Sequence, residues 1–350
     1  MKQIVFFTGA MSRGGAERVI SLLSDYYVQL GWQVSIVMLL HNKVEYALNP
    51  GVEVLDFSND KRKAILDMPR LIGKVRSFVK KRQPDAVVAF MAQICLITGL
   101  ACRGLKTRLI QSERIDPSAV GRGKFYEMVL NDVYAKGTVT VLQTLRAKNY
   151  FPTKVQNNAV VIPNPIQIKA EVAQQRKHRI VTAGRLTEQK NHKMLIYAFA
   201  QIHKDYPEYS LDIYGEGPLQ DALQQQIDDL NLAEAVTLKG NVPNIHTQIA
   251  DAEIFVLSSD FEGLSNALLE AMMMGHACIS TDCAGSDEVI RDGENGLLIP
   301  VCDQKALESA LERLIAEPDF ALELGKAAKE DSKQFTVDSV MSQWRKAIEG

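Results

Sequence analysis

The chain has 350 residues, of which 46% are hydrophobic and 23% charged, with a formal net charge of -2. That length suits two domains of ordinary size, and that balance is the one of a folded globular protein. It counts against a general nucleic-acid binder, and no apolar run approaches the roughly 20 residues of a membrane span.

Residues 4–8 read as an apolar strand, 9–15 as a glycine-containing loop, 16–30 as a helix and 33–40 as a second strand. The apolar run at the N-terminus is too short for the core of a signal peptide. This β-loop-α-β unit is of the doubly wound kind. Its loop is TGAMSRGGAER rather than GxGxxG, and no acid closes the second strand. Both features disfavour a nicotinamide-dinucleotide fold. Gly14 and Gly15 let the backbone approach a ligand closely, or simply make a tight turn.

After a strand at 52–57, residues 61–82 carry nine basic side chains and one acid, Asp67. Ile65, Met68, Ile72, Val75 and Val79 recur at helical spacing, so one face packs and the rest is cationic. Lys74, Lys80 and Lys81 belong to the cationic part. It reads either as a solvated face or as a contact for anionic lipid or a pyrophosphate.

Strands at 85–90, 107–111 and 137–142 alternate with helices. Glu113 and Arg114 follow the second of these strands, at the end where open α/β sheets place ligands. They fit a local ion pair or a cap equally well. Residues 157–162 run into Pro163-Asn164-Pro165, which halts regular structure. The first domain is therefore 1–165, with a polar linker over 166–178. The second domain is 179–333, and 334–350 is a helix expected to return to the first. The five cysteines (Cys95, Cys102, Cys278, Cys283 and Cys302) lack metal-like or redox spacing and read as small buried hydrophobes in a reducing compartment.

A second alternating series begins at 179–183. The loop GRLTEQKNH follows, then a helix at 192–204 and a strand at 211–214 that ends in GEGP. A helix at 223–230 and strands at 236–238 and 252–257 come next. Strands at 277–280, 284–290 and 297–299 complete the sheet, and 305–349 is helical. Both halves repeat strand, glycine loop and helix. The fold class is α/β, with two doubly wound Rossmann-like domains facing each other across a cleft.

The stretch SSDFEGLSNALLEAMMMG at 258–275 is the most informative. It reads as a strand end, a loop, and a buried helix capped by Ser265 or Asn266 and ended by Gly275. Such a helix N-terminus at a strand end offers free N–H groups to an anion. Glu262 in the loop and Glu270 one turn into the helix frame the site. Helical side chains tilt toward the N-terminus, and carboxylates accept paired hydrogen bonds from vicinal hydroxyls. A sugar nucleotide fits that geometry. So do a solvated Glu262 and a Glu270 that caps N–H groups.

Taken together, Gly184-Arg185-Leu186, Gln189-Lys190-Asn191, YGEGP at 214–218 and Glu262 eight before Glu270 resemble family 4 of the retaining glycosyltransferases, which have the GT-B fold. The resemblance covers nearly the whole chain. The GGAER and Ser112-Glu113-Arg114 segments narrow it to enzymes that extend lipid-linked oligosaccharides for O-antigen, capsule or glycan assembly. It implies that Arg185 and Lys190, next to Gly184, bind the donor diphosphate, where fixed cations stabilise charge on the departing group. It also implies that Glu262 contacts the transferred sugar and Glu270 the ribose. Backbone N–H groups of Leu264, Ser265 and Asn266 would hold phosphate, and Val242 would lie by the nucleobase. Gly14 and Gly15 would close over the phosphates, with Glu113, Arg114 and the basic segment on the acceptor side.

The implied donor is a UDP-sugar, with N-acetylgalactosamine, N-acetylglucosamine or another hexose transferred. The implied acceptor is a polyprenyl-diphosphate-linked glycan at the inner face of the cell membrane, with the enzyme peripherally attached. No metal, cofactor or nucleic acid is implied. Where relatives carry a histidine after the fourth strand, this chain has Phe90-Met91-Ala92. Front-face attack, with the leaving phosphate taking the acceptor proton, needs no side-chain base there. Alternatives are a nucleotide-sugar isomerase such as a UDP-N-acetylglucosamine 2-epimerase, a transferase using a GDP-sugar, and a non-catalytic sensor.

Overall fold

A computed structural model describes residues 1–12, 14–59, 64–115, 117–118, 120–168, 170–171, 173, 175–283 and 285–350, with 64–66 described in backbone only. Lys61, Arg62 and Lys63 of the basic segment lie outside the described residues, as does the side chain of Ile65. The chain divides into two compact units, Met1–Pro165 with Asp338–Gly350, and Ile166–Val337.

The first unit contains β1 (Gln3–Thr8), α1 (Gly15–Gln29), β2 (Gln33–Met38), β3 (Val52–Asp56), α2 (Ala64–Arg82) and β4 (Ala86–Phe90). It continues with α3 (Ala92–Cys102), β5 (Arg108–Ser112), α4 (Lys124–Lys136), β6 (Val139–Leu142), α5 (Leu145–Tyr150), α6 (Thr153–Gln156) and β7 (Ala159–Val161). Seven parallel strands lie in the order β3-β2-β1-β4-β5-β6-β7. Parallel strands covered on both faces need continuous apolar runs, and AVVAF in β4 is buried at every position. The strand order reverses between β1 and β4, so the crevice at their C-terminal ends is the ligand position of this topology.

Helix α2 meets the core through Leu71, Val75 and Val79, with Met68 and Ile72 half-buried beside them. Much of its positive charge is used structurally. Arg70 holds the buried Asp67 through Nε at 2.7 Å, and Arg82 pairs with Glu53 at 2.8 Å. Arg76 donates to the carbonyls of Ala101 and Arg103 and so closes the end of α3. Lys74 lies over the Phe57 ring, 4.2 Å from its centre. Lys80 and Lys81 are exposed. The helix runs antiparallel to the strands, so its last turn sits at the N-terminal edge of the sheet, away from the ligand edge.

The second unit contains β8 (Lys177–Ala183), α7 (His192–Asp205), β9 (Ser210–Tyr214), α8 (Gln220–Asp229), β10 (Val236–Gly240), α9 (Ile245–Ile249) and β11 (Ala252–Leu257). Then come α10 (Asn266–Met273), β12 (Ala277–Thr281), β13 (Leu297–Ile299), α11 (Gln304–Ala316) and α12 (Pro318–Asp331), before α13 (Val337–Glu349). Six parallel strands lie in the order β10-β9-β8-β11-β12-β13, and here the order reverses between β8 and β11. Helix α13 packs in the first unit. Its Trp344 is fully buried and stacks on Phe90, with ring centres 5.6 Å apart.

Two expectations are corrected. Residues 285–289 form turns rather than a strand, and β13 takes the place beside β12. Gly285 has φ +88°, and a Cβ there would meet the Gly263 carbonyl oxygen at 2.5 Å. Val289 and Ile290 are buried all the same, so the apolar run reported burial and not extension. Four cysteines are buried, but Cys302 is exposed, with Sγ 3.2 Å from an Asp260 carboxylate oxygen.

Candidate active site

The reversal point of the second unit is built by the segments that follow β8 and β11. After β8, Gly184-Arg185-Leu186 leads into a single 3-10 turn, Glu188–Lys190, and then α7. Asn191 takes the left-handed conformation (φ 45°), and its side chain caps α7 by accepting from the Met194 N–H. After β11 comes the loop that opens α10, whose cap is Ser265. The two loops are laced together. Asp260 N–H donates to the Gln189 carbonyl at 2.8 Å, and Gln189 Nε2 donates to the Phe261 carbonyl at 2.8 Å. Asn191 Nδ2 donates to Asp260 at 2.7 Å, and Ser258 Oγ to the Lys190 carbonyl at 2.9 Å.

At the centre of this lacing Lys190 pairs with Glu262, both largely buried. Ser259 Oγ donates to the same Glu262 oxygen at 2.9 Å. The stem of Lys190 lies over Gly184, where a Cβ would stand 3.1 Å from it. Arg185 is exposed, and among the described residues its side chain has no partner. The result is one fixed, compensated cation and one free cation at a strand end. Such a pair suits a ligand with adjacent negative charges.

Backbone packing makes the loops rigid. Gly215, with φ +137°, has its Cα against the Gly184 carbonyl, and a Cβ there would come to 2.0 Å. The YGEGP segment thus presses directly on the GRL segment, which no residue with a side chain permits. The imidazole of His192 is buried behind Lys190. Burial, and then the Lys190 charge, push its pKa down to about 4, so it is neutral near pH 7.

Glu270, on the first turns of α10, lies with its Oε2 3.3 Å from Nε2 of His246 on α9. His246 was not identified from the sequence as a site residue. Its signal was its place four residues after Val242. Val242 is half-buried against the cluster that holds α10. The first N–H groups of α10, from Asn266 onward, lack intrahelical acceptors by construction. Glu262, Lys190, Arg185 and the α10 N-terminus are therefore brought to one strand edge. Glu270, His246 and Val242 lie on the β10–α9 side.

The reversal point of the first unit holds a cavity of about 520 Å³. It is lined by Gly9, Ala10 and Ser12 after β1, Met91–Ile94 after β4, and Glu17, Glu113, Arg122 and Tyr126 among others. Burial raises the Glu17 carboxyl. Met91 has φ 76° and ψ 142°, a region left almost wholly to glycine, and its N–H is tied to the Ser112 carbonyl at 2.8 Å. Glu113 lines the cavity but is engaged by Arg122 at 2.7 Å and by the Tyr134 hydroxyl at 3.1 Å. Arg114 points elsewhere. It is buried, bonded to Asn164 and the Ile162 carbonyl, and 6.0 Å from the Trp344 ring centre. Gly14 caps α1 and receives the Tyr46 hydroxyl on its carbonyl at 2.9 Å, with Gly15 the first residue of that helix. Lys80 and Lys81 are on the opposite sheet edge from this cavity. Among the described residues no group of three or more His, Cys, Asp and Glu is placed to hold a metal ion, and no helix is long and apolar enough to cross a membrane.

Residues 13–169 match the model of Glycosyltransferase Family 4, and residues 164–331 match that of Glycosyl transferases group 1. The chain thus pairs a glycosyltransferase family 4 domain with a glycosyl transferases group 1 domain. This glycosyltransferase is 28% identical to the N-acetylgalactosamine-N,N'-diacetylbacillosaminyl-diphospho-undecaprenol 4-alpha-N-acetylgalactosaminyltransferase of Campylobacter jejuni, over 96% of each chain. It is 25% identical to a second alpha-1,4-N-acetyl-D-galactosaminyltransferase of the same organism, named for a diNAcBac-PP-undecaprenol-linked acceptor, over 99% of this chain and 98% of that one. Its fold matches the crystal structure of Anabaena Alr3699/HepE in complex with UDP, with a TM-score of 0.83, 18% identity and 99% of both chains covered. That fold is GT-B.

Proposed function

We propose that this glycosyltransferase moves a sugar from a UDP-sugar to a polyprenyl-diphosphate-linked glycan, with retention of anomeric configuration and without a metal ion. The observation that carries the reading is the convergence of Lys190, Arg185, Glu262 and the α10 N-terminus at the reversal point of the second unit. Arg185, Lys190 and the N–H groups of Leu264, Ser265 and Asn266 hold the donor diphosphate. When the bond from the sugar anomeric carbon to the diphosphate oxygen breaks, its electron pair stays on that oxygen, and these groups stabilise the charge. An acceptor hydroxyl bonds to the same carbon and passes its proton to the departing phosphate. Glu262 orients the transferred sugar. Glu270, steadied by His246, takes the ribose hydroxyls, and Val242 lies by the base.

The acceptor side is the cavity of the first unit, with Glu113 and Arg122 in its wall. The names of the Campylobacter jejuni relatives support an acceptor carried on undecaprenyl diphosphate, and hence work at the inner face of the membrane.

The test is transfer by the purified protein from a panel of UDP- and GDP-sugars to a polyprenyl-diphosphate disaccharide, followed by mass and anomeric configuration of the product. Coupled release of UDP and gain of one α-linked sugar is expected. Sugar-nucleotide isomerisation without acceptor consumption would replace the transferase reading with the isomerase one. The same assay in excess EDTA is expected to run at full rate, since the charge on the diphosphate is met by Arg185, Lys190 and backbone N–H groups. Loss of rate on chelation, restored by magnesium or manganese, would overturn metal independence.

A further inference from the structure

Exposed large apolar side chains are scattered singly over most of the described chain, but Ile115, Phe125, Met128, Leu145 and Tyr150 are concentrated between the end of β5 and the end of α5. Phe125 and Met128 are 76% and 58% exposed, far more than packing residues. They stand three apart on the first turns of α4, so they share a face. The opposite face of α4, with Leu130, Val133 and Tyr134, is buried in the core. Strands β5 and β6 are parallel neighbours, so Ile115, just past β5, and Leu145, just past β6, emerge at the same sheet edge. The Tyr150 hydroxyl donates to Glu127 at 2.9 Å, which ties α5 to α4 and engages the carboxylate next to Met128. The five side chains form one lip. Ile115 also lines the cavity of the first unit together with Tyr126, so lip and cavity are continuous.

We propose that this lip is a bilayer-contact surface, with Phe125 and Met128 entering the boundary between headgroups and acyl chains. Lys124, Arg146 and Lys148 flank its side chains in the sequence, and Glu127 beside Met128 is already bonded to Tyr150, so its charge complements an anionic leaflet. The proposal rests on the lipid-linked acceptor read above. It adds the surface through which that acceptor would pass from membrane to cavity.

The test is flotation of the full chain with vesicles of phosphatidylcholine and phosphatidylglycerol. Phe125→Ser with Met128→Ser is expected to weaken binding at least ~10-fold, the scale of two apolar side chains leaving the interface. Both residues are exposed, so the thermal midpoint should not move. Transfer to a detergent-solubilised short-prenyl acceptor should match the parent. In a separate Phe125→Trp variant, the added fluorescence should be quenched by brominated acyl chains. A parent that does not float, a double variant that floats like the parent, or an unquenched Trp would each overturn the lip. A double variant that turns a dimer into a monomer while still binding vesicles would show self-association instead. Failure of the parent on every polyprenyl acceptor would remove the acceptor reading, while flotation and quenching would still decide the lip.

Discussion

The two units share one topology, yet their reversal points are made of different material. In the second unit the loops after β8 and β11 are locked by hydrogen bonds between Asp260, Gln189, Asn191 and Ser258, and by glycine backbone in contact. Its charges, Lys190 and Glu262, stand in fixed places. In the first unit the same position is a cavity of about 520 Å³, with its main charge pair, Glu113 and Arg122, satisfied in the wall. A rigid charged edge suits a group common to many substrates, such as a diphosphate. A shaped cavity suits a group that differs from enzyme to enzyme.

The largest effect should come from the rigid edge. Lys190→Ala and Arg185→Ala are each expected to lower turnover at least ~10²-fold, the scale of losing one preorganised charge donor. Single-turnover kinetics with saturating donor would measure it. Near-normal turnover in either variant would take that residue out of the mechanism. It would also erase the contrast between a charged edge and a shaped cavity.

The two acids of the second unit's site should separate. Glu262 neutralises Lys190, so Glu262→Gln leaves Lys190 with its full charge for the diphosphate. UDP affinity should then hold or rise while turnover falls. Glu270→Gln should weaken UDP itself by about 10-fold, the scale of one charge-assisted hydrogen bond. Calorimetric titration of both variants with UDP decides the point, and equal affinities would undo the assignment.

The fold and the charged edge were legible in the sequence for a physical reason. Strand, glycine loop and helix recur in both halves, and Lys190, Glu262 and Glu270 stand at places set by strand ends and helix turns. What was not legible depends on partners distant in sequence. His246 became visible only when α9 met Glu270. The run at 284–290 has the composition of a strand, but the contact of Gly285 with Gly263 bends it into turns. Arg114 carries the chemistry of a ligand residue, yet Trp344, more than two hundred positions later, covers it. In α2 the count of basic residues was correct, but Asp67, Glu53 and the end of α3 consume three of the arginines.

A smaller effect tests the cavity. Met91 sits in a backbone region that costs a non-glycine residue about 1–3 kcal/mol. Met91→Gly should therefore leave the unfolding midpoint unchanged or raised, despite the loss of a side chain. The same change removes part of the cavity wall, so the acceptor KM should rise several-fold while the donor KM stays level. A drop in stability of more than about 1 kcal/mol would refute the strain account. A shift in donor KM would show that the two reversal points are not chemically separate.

The smallest effect is expected at Lys74, Lys80 and Lys81. Each cation close to an anionic bilayer contributes roughly 1 kcal/mol, and this fades within about a Debye length, ~8–10 Å. At 1.5 Å per residue, Lys81 is about 25 Å along α2 from its first turn. That first turn is at the ligand edge of the sheet and Lys81 at the other. A bilayer that meets the α4 lip therefore lies beyond the screening distance of Lys80 and Lys81. Lys74 is about 15 Å along, and its charge is partly spent on the Phe57 ring. Replacing all three by Gln should lower vesicle affinity no more than about 3-fold at low salt and not at all at high salt, with donor binding and transfer unchanged. Arg82 is left in place because it pairs with Glu53. A loss above ~10-fold would put the membrane against α2 instead, since only direct contact gives three charges that much weight.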